Sequence, residues 1–186
     1  MNSRFIKSHK NQTHVEEILN SLTHVIGALL GVAALVLLTV MSHHQHSALK
    51  VVASVIFGSS LIFMYSASAL YHGFRNPRAK RILKIIDHSS IYILIAGSYT
   101  PIVLILLSPA WGWSLFGVIW GMALLGLIFK FFATGKLEIV STIAYVCMGW
   151  LALIAIKPLY DALPLHGFLW LVAGGVSYTL GVIFYV

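Results

Sequence analysis

Long apolar stretches separated by short polar segments dominate the chain and determine which elements it predicts. A membrane-spanning helix needs about 20 consecutive apolar residues, the length that crosses the hydrocarbon core of a bilayer. The connections between such stretches are too short to separate domains. The pattern therefore predicts an all-α membrane protein, a polytopic bundle of transmembrane helices. Six stretches qualify, at residues 22–41, 48–71, 89–107, 113–132, 139–156 and 168–186.

The amino-acid composition supports this prediction. The chain has 186 residues, of which 59% are hydrophobic and only 9% charged, and its mean hydropathy is +0.92. A soluble domain carries about 25% charged and about 45–50% apolar residues. The composition thus excludes a soluble globular domain, a disordered chain and a coiled coil, and it favours the bilayer as the solvent.

A polar segment, residues 1–21, precedes the first apolar stretch. Thr13 and Glu16 have the spacing of a capping box, in which each side chain accepts a hydrogen bond from the other residue's backbone. Apolar residues then recur with helical periodicity, which predicts a short amphipathic helix on the membrane surface. We therefore divide the chain into this N-terminal cytoplasmic segment and a bundle at 22–186. The periodic positions are Val15, Ile18, Leu19 and Leu22.

The net charge of +7 comes from 12 Lys and Arg residues against 5 Asp and Glu residues. Because the basic residues lie between apolar stretches, membrane orientation explains them better than nucleic-acid binding. With six spans, only Lys50 and Lys157 fall on one side of the membrane. The positive-inside rule then predicts a cytoplasmic N-terminus. We expect a multi-pass protein of the cell inner membrane. The basic residues on the cytoplasmic side are Arg4, Lys7, Lys10, Arg75, Arg78, Lys80, Arg81, Lys84, Lys130 and Lys136.

Proline and glycine add two local expectations. Pro101 lies inside the third stretch, where it is expected to kink the helix because proline lacks a backbone N–H. Two Gly-x-x-x-Gly pairs allow close approach of neighbouring helices. We expect both pairs to pack within one bundle and infer no dimer from them, so the oligomeric state stays open. The pairs are Gly27 with Gly31 and Gly117 with Gly121.

Polar residues within or at the ends of membrane spans are costly, and three groups of them stand out. The first consists of Glu17, Asn20 and His24. At about 100° per residue, these positions fall within an arc of about 60° on one helix face, at the cytoplasmic end of the first span. An alternative remains open for Glu17, because a surface helix can turn its polar face to lipid headgroups.

The other two groups lie at the same end of the second and third spans. Ser68 and His72 are four residues apart, so a hydroxyl and an imidazole share one face of the second span. Asp87 and His88 open the third span. Each pair also has a simpler explanation, because His72 can snorkel to the interface and an acid at a helix N-terminus is favoured by the helix dipole.

The alternating topology places all three groups at one depth on one side of the membrane. Independent explanations for each group do not predict this coincidence. Imidazole, carboxylate, hydroxyl and amide groups that converge in a low-dielectric pocket are what a metal site with supporting hydrogen bonds requires. The sequence therefore predicts one polar cluster beneath the inner leaflet that binds a divalent cation.

The three groups, in this order and with Asp87 fifteen residues after His72, resemble the hemolysin III family, the bacterial branch of the progestin and adipoQ receptor family. The stretches 87–92 and 96–101 are especially similar to it, and the similarity covers nearly the whole chain from about Glu16. The resemblance implies a seven-helix bundle with a cytoplasmic N-terminus and a zinc ion near the cytoplasmic face.

The resemblance also implies roles for single residues. It makes His72 the zinc ligand of the second helix, and it matches Ser68 and Asp87 to a serine and an acid near the metal. The family's other two zinc ligands come from an H-x-x-x-H on helix seven, which this sequence does not reach before Val186. We expect a fragment rather than a natural variant, and as written one ligand cannot hold zinc. A supporting polar cluster remains, of less clear chemical role, formed by Glu17, Asn20, His24 and His88.

The resemblance extends to the alkaline ceramidases and implies a zinc-dependent hydrolase that acts on a lipid amide or ester. Asp87 would be the general base or orient the water, and Ser68 would support the metal-bound water or the oxyanion. Two other function classes stay open. One is a cytolysin or pore former, although the spans carry few polar residues that could line a pore. The other is a receptor-like regulator of the membrane with structural zinc, and in every case the expected partner is membrane lipid.

Overall fold

The computed structural model describes residues 13–133 and 137–185. A π-helical turn, Ile102–Leu106, follows the third helix, and a 3-10 turn, Leu151–Ala155, joins the fifth helix to the sixth. The α-helices in this part of the chain are α1 His14–His44, α2 Ala48–Gly73, α3 Pro77–Pro101, α4 Pro109–Ala133, α5 Glu138–Gly149, α6 Ile156–Ala162 and α7 Leu165–Tyr185. The charges counted at Arg4, Lys7, Lys10 and Lys136, and the chain end at Val186, lie outside the described residues.

Six helical segments of the described chain are long and apolar enough to cross a membrane. They are α1, α2, α3 with its π-helical turn, α4, α5 together with α6, and α7. Each corresponds to one predicted apolar stretch. The chain is therefore an all-α, polytopic membrane protein, and this prediction from hydropathy is confirmed.

Hydrogen bonds between Thr13 and Glu16 mark the start of the first helix. Oγ1 of Thr13 accepts a hydrogen bond from the N–H of Glu16 at 3.3 Å, and Oε2 of Glu16 accepts one from the N–H of Thr13 at 2.7 Å. The predicted capping box is therefore present. The helix that it starts continues without a break to His44, so the periodic residues after Thr13 and the first span belong to one helix.

The third helix begins earlier than hydropathy alone predicts. Asn76 caps it by accepting hydrogen bonds at Oδ1 from the N–H groups of Arg78 and Ala79, at 2.9 and 3.3 Å. Pro77 occupies the first turn, where the missing N–H costs nothing. The basic segment between the second and third apolar stretches is thus mostly the start of α3. The expectation that Asp87 opens a helix is wrong, because α3 has already run for almost three turns at that point.

Glycine allows α1 and α2 to approach closely. A Cβ atom added at Gly27 would lie 2.6 Å from the Tyr65 ring, and one at Gly31 would lie 3.2 Å from Ile62. This predicted Gly-x-x-x-Gly contact is confirmed. The second predicted contact is wrong for the described part of the chain, because no atom of another helix lies within 4 Å of a Cβ added at Gly117 or Gly121. The predicted disturbance at Pro101 is present, since regular α-helical structure ends there.

The core lies between α3, α4, α5 and α6, and α7 covers it only loosely. Tyr92, Val103, Ile119, Met148 and Leu159 are each at most 1% exposed. Within 165–182, by contrast, α7 contributes no fully buried residue. Consecutive spans run antiparallel, so the starts of α1, α3 and α5 lie at the same end as the ends of α2 and α4. We call this end of the bundle the polar end.

Candidate functional site

The carboxylate of Glu17 joins three helices at the polar end. Its Oε2 lies 2.8 Å from Nδ1 of His72 on α2, and its Oε1 accepts a hydrogen bond from Nζ of Lys80 on α3. The three side chains are 20%, 11% and 28% exposed, so all are largely shielded from solvent. The alternative in which Glu17 only faces headgroups does not account for these contacts. A carboxylate held between a cation and an imidazole is instead an organised polar site.

The imidazole of His24 lies against that of His72. The two rings are parallel within 2° and their centroids are 5.9 Å apart. The centroid of the Tyr65 ring lies 5.8 Å from that of His24. Nδ1 of His24 is buried and has no hydrogen-bond partner among the described residues. The first two predicted groups therefore meet, with Glu17 and His24 of α1 both beside His72 of α2.

The aromatic ring of Tyr71 connects this group with the third one. Its centroid lies 4.8 Å from that of His72 and 6.3 Å from that of His88, with Lys80 Nζ 5.2 Å away over the ring. Oδ2 of Asp87 lies 3.3 Å from Nδ1 of His88, and both side chains are mostly buried. All three predicted groups therefore lie at one end of the bundle, joined through Tyr71.

Two of the predicted residues lie beside the cluster. Ser68 is buried on α2, one turn before His72. Asn20 is partly buried on α1, one turn before His24. In the part of the chain that the structure describes, neither side chain donates a hydrogen bond to Glu17 or His72. Their roles near a metal thus remain expectations from the resemblance.

Asp87 lies inside a helix, and this removes the simpler explanation for it. The helix dipole stabilises an acid only within the first turn, and α3 begins at Pro77. A mostly buried carboxylate at that depth in a spanning helix needs another explanation, and its neighbour His88 is one.

Lys80 was expected only as a charge that orients the protein in the membrane, not as part of the site. Lys80 and Asp87 are seven residues apart and therefore share one face of α3. The signal was the pair Asn76 and Pro77, since a capping residue followed by proline is typical of a helix start. A helix that begins at Pro77 places Lys80 on the same face as Asp87, and therefore on the side of the predicted cluster.

A second polar group at this end involves Lys130, which was also expected only as an orienting charge. Its side chain is 0% exposed, and Nζ lies 2.5 Å from Oε2 of Glu138 and 3.2 Å from Oγ of Ser141. The hydroxyl of Tyr145 donates to the backbone carbonyl of His88 at 2.8 Å. These contacts tie α4 to α5 and α5 to α3, next to the candidate site.

His72 is the described residue that matches the zinc ligand implied by the resemblance. A ligating histidine commonly donates its other ring N–H to a carboxylate, as His72 can to Glu17, which leaves Nε2 available. His72 therefore fits the role of one ligand. Within 13–133 and 137–185, however, no three His, Cys, Asp or Glu side chains lie close enough to hold one ion, and zinc sites use at least three protein ligands.

An apolar cavity lies beside the core, between α3, α5, α6 and α7. Its volume is about 340 Å³, and its lining, which includes Tyr99, Trp150 and Tyr178, is largely apolar. Tyr178 also lines a second cavity of about 270 Å³ together with Ile91 and Tyr145. Because Tyr145 bonds the backbone of His88, this second cavity reaches close to the polar end. Both cavities are thus apolar spaces bordered by α3, α5 and α7.

Comparisons with known proteins identify relatives along nearly the whole chain. A family model described as haemolysin-III related matches residues 12–186. Hemolysin-3 of Bacillus cereus is 44% identical over 171 residues, which are 92% of this chain and 78% of that protein. A hemolysin-3 homolog of Bacillus subtilis (strain 168) is 45% identical over 171 residues, 92% of this chain and 80% of the relative. No solved structure matches the chain. The chain therefore belongs to the hemolysin III family.

Proposed function

We propose that this protein is a membrane-embedded, zinc-dependent hydrolase that cleaves lipid amide or ester bonds at the polar end. The observation that carries the proposal is the largely buried contact between Glu17 and His72. Ionisable groups inside a membrane bundle are costly and are usually kept for function. The two apolar cavities support a lipid as the substrate, because an acyl chain needs apolar space.

Each residue of the cluster has a distinct part in the proposal. His72 would hold zinc as one ligand, and the other ligands would come from outside the described residues. Zinc, when bound, would polarise a carbonyl and lower the pKa of bound water. Asp87 would accept a proton from the attacking water, and Ser68 would donate a hydrogen bond to the oxyanion.

The experiment compares the full-length protein with two histidine variants of it in lipid nanodiscs. Zinc content and hydrolysis of a fluorogenic ceramide-type amide and a matched ester are measured for the unchanged protein, His72→Ala and His166→Ala. His166 is an exposed histidine at the opposite end of the bundle. We expect His72→Ala to lose more than the roughly 10–100-fold that losing a supporting residue costs, and His166→Ala to match the unchanged protein. Absence of zinc, or equal hydrolysis in all three proteins, would contradict the proposal.

We also propose that the polar end faces the cytoplasm and that the protein resides in the inner membrane. The distribution of the described basic residues supports this orientation. Of these residues, Lys50 and Lys157 lie at the opposite end, and all the others lie at the polar end. The basic residues at the polar end are Arg75, Arg78, Lys80, Arg81, Lys84 and Lys130.

A second candidate function is cytolysis, which the names of the two Bacillus relatives favour. A pore needs a continuous polar lining. The larger cavity is mostly apolar instead, and the described core is built largely from apolar side chains. Dye release from vesicles that contain the protein, compared with lipid-only vesicles, tests this function. Release that depends on the protein would favour cytolysis over hydrolysis.

A further inference from the structure

Both oxygens of one carboxylate are engaged in the polar cluster, by donors on two different helices. Oε2 of Glu17 lies against Nδ1 of His72, and Oε1 against Nζ of Lys80. The partners are 55 and 63 residues away along the chain. An ionised carboxylate only accepts hydrogen bonds. Contact with it therefore requires that Nδ1 of His72 carry a proton, and in the neutral ring Nε2 is then the nitrogen with a free lone pair.

The surroundings of His72 also restrict the orientation of its ring. The His24 ring lies parallel to it, and the centroid of the Tyr71 ring lies 4.8 Å from that of His72. Lys80 takes part in both restraints, because its Nζ binds Glu17 and lies over the Tyr71 ring. Without Lys80, the carboxylate would keep its negative charge beside His72 but lose the contact that fixes its second oxygen.

We propose that Glu17 and Lys80 are positioning residues that hold His72 in the Nδ1–H form, with Nε2 presented as the reactive nitrogen. Glu17 acts directly on the imidazole, and Lys80 acts through Glu17. The inference rests on the proposed function only for what Nε2 then does, namely binding a metal. The tautomer itself is a property of the protein that can be measured without substrate or zinc.

The test is nitrogen NMR of protein labelled with ¹⁵N-histidine in nanodiscs. The His72 signals are assigned by their loss in His72→Gln, since the chain contains 9 histidines. We expect a protonated Nδ1 and an unprotonated Nε2 in the unchanged protein. Lys80→Met should add a second set of His72 signals from the Nε2–H form, and Lys80→Arg should restore the single set. Lys84→Met, which removes a charge one turn further along α3, is the matched control and should leave the spectrum unchanged.

Three results would overturn the inference: a protonated Nε2 on His72 in the unchanged protein, a spectrum of Lys80→Met that matches the unchanged protein, or equal changes in Lys80→Met and Lys84→Met. If Lys80→Met does not fold, Glu17→Asp, which shortens the carboxylate arm, should produce the second set instead. Failure of the hydrolase proposal appears separately, as absent lipid turnover with the Nδ1–H form intact. The reverse result, turnover with His72 protonated at Nε2, would reject the positioning role alone.

Discussion

At the scale of single residues, burial of charge distinguishes ion pairs that hold the bundle together from those that do not. Lys130 is fully buried, whereas Glu138 keeps 26% of its side-chain surface exposed. Lys157 and Asp161 form a pair at the other end of the chain's fifth span, but they are 83% and 58% exposed. Removing one partner of a buried pair leaves the other charge without compensation, while an exposed pair contributes little.

Replacing Lys130 should therefore destabilise the protein. We expect Lys130→Ala to lower the free energy of unfolding by about 3 kcal/mol, the low end of the range for buried pairs, because water still reaches Glu138. The double variant Lys130→Met with Glu138→Gln should recover most of the loss, since it removes both charges of the pair. Chemical unfolding in detergent measures both, and Lys157→Ala should leave the midpoint unchanged. Equal losses in Lys130→Ala and the double variant would argue against the ion pair.

At the scale of helices, close approach between α1 and α2 depends on a missing side chain. Gly27→Ala should lower the free energy of unfolding by about 1–3 kcal/mol, because the added Cβ meets the Tyr65 ring at 2.6 Å. Gly121→Ala is the matched control, since it adds the same methyl group where no atom lies within 4 Å. It should be neutral or stabilise the helix by up to about 1 kcal/mol. Thermal unfolding in detergent compares the two, and equal effects would contradict the packing argument.

The helices also show why the two Gly-x-x-x-Gly pairs behave differently. The spacing places two small residues on one face of a helix, and this much is local. Which neighbour that face meets depends on the rotation of the whole helix. For Gly27 and Gly31 the neighbour is α2, whereas Gly117 and Gly121 turn away from the described bundle. The same motif therefore predicted one contact correctly and one wrongly.

At the scale of the whole molecule, orientation in the membrane is the property to test. His44→Cys and Arg78→Cys place single thiols at opposite ends, in a chain whose Cys147 is changed to Ser. Both positions are exposed. We expect a membrane-impermeant maleimide to label His44→Cys in intact cells and Arg78→Cys only after lysis, because the positive-inside rule predicts a cytoplasmic polar end. The reversed labelling pattern would invert the proposed topology.

The sequence by itself determined the six spans, the capped start of α1 and the end of the bundle at which the polar residues gather. These follow from local quantities, namely the length of apolar stretches, the capping spacing and the alternation of helix direction. The tertiary structure decided which polar groups touch. Glu17 accepts a hydrogen bond from Lys80, which lies 63 residues later in the chain, and the Lys130 side chain is buried instead of facing water. Such contacts depend on where each helix begins and how it is rotated against its neighbours, and packing across the bundle fixes both.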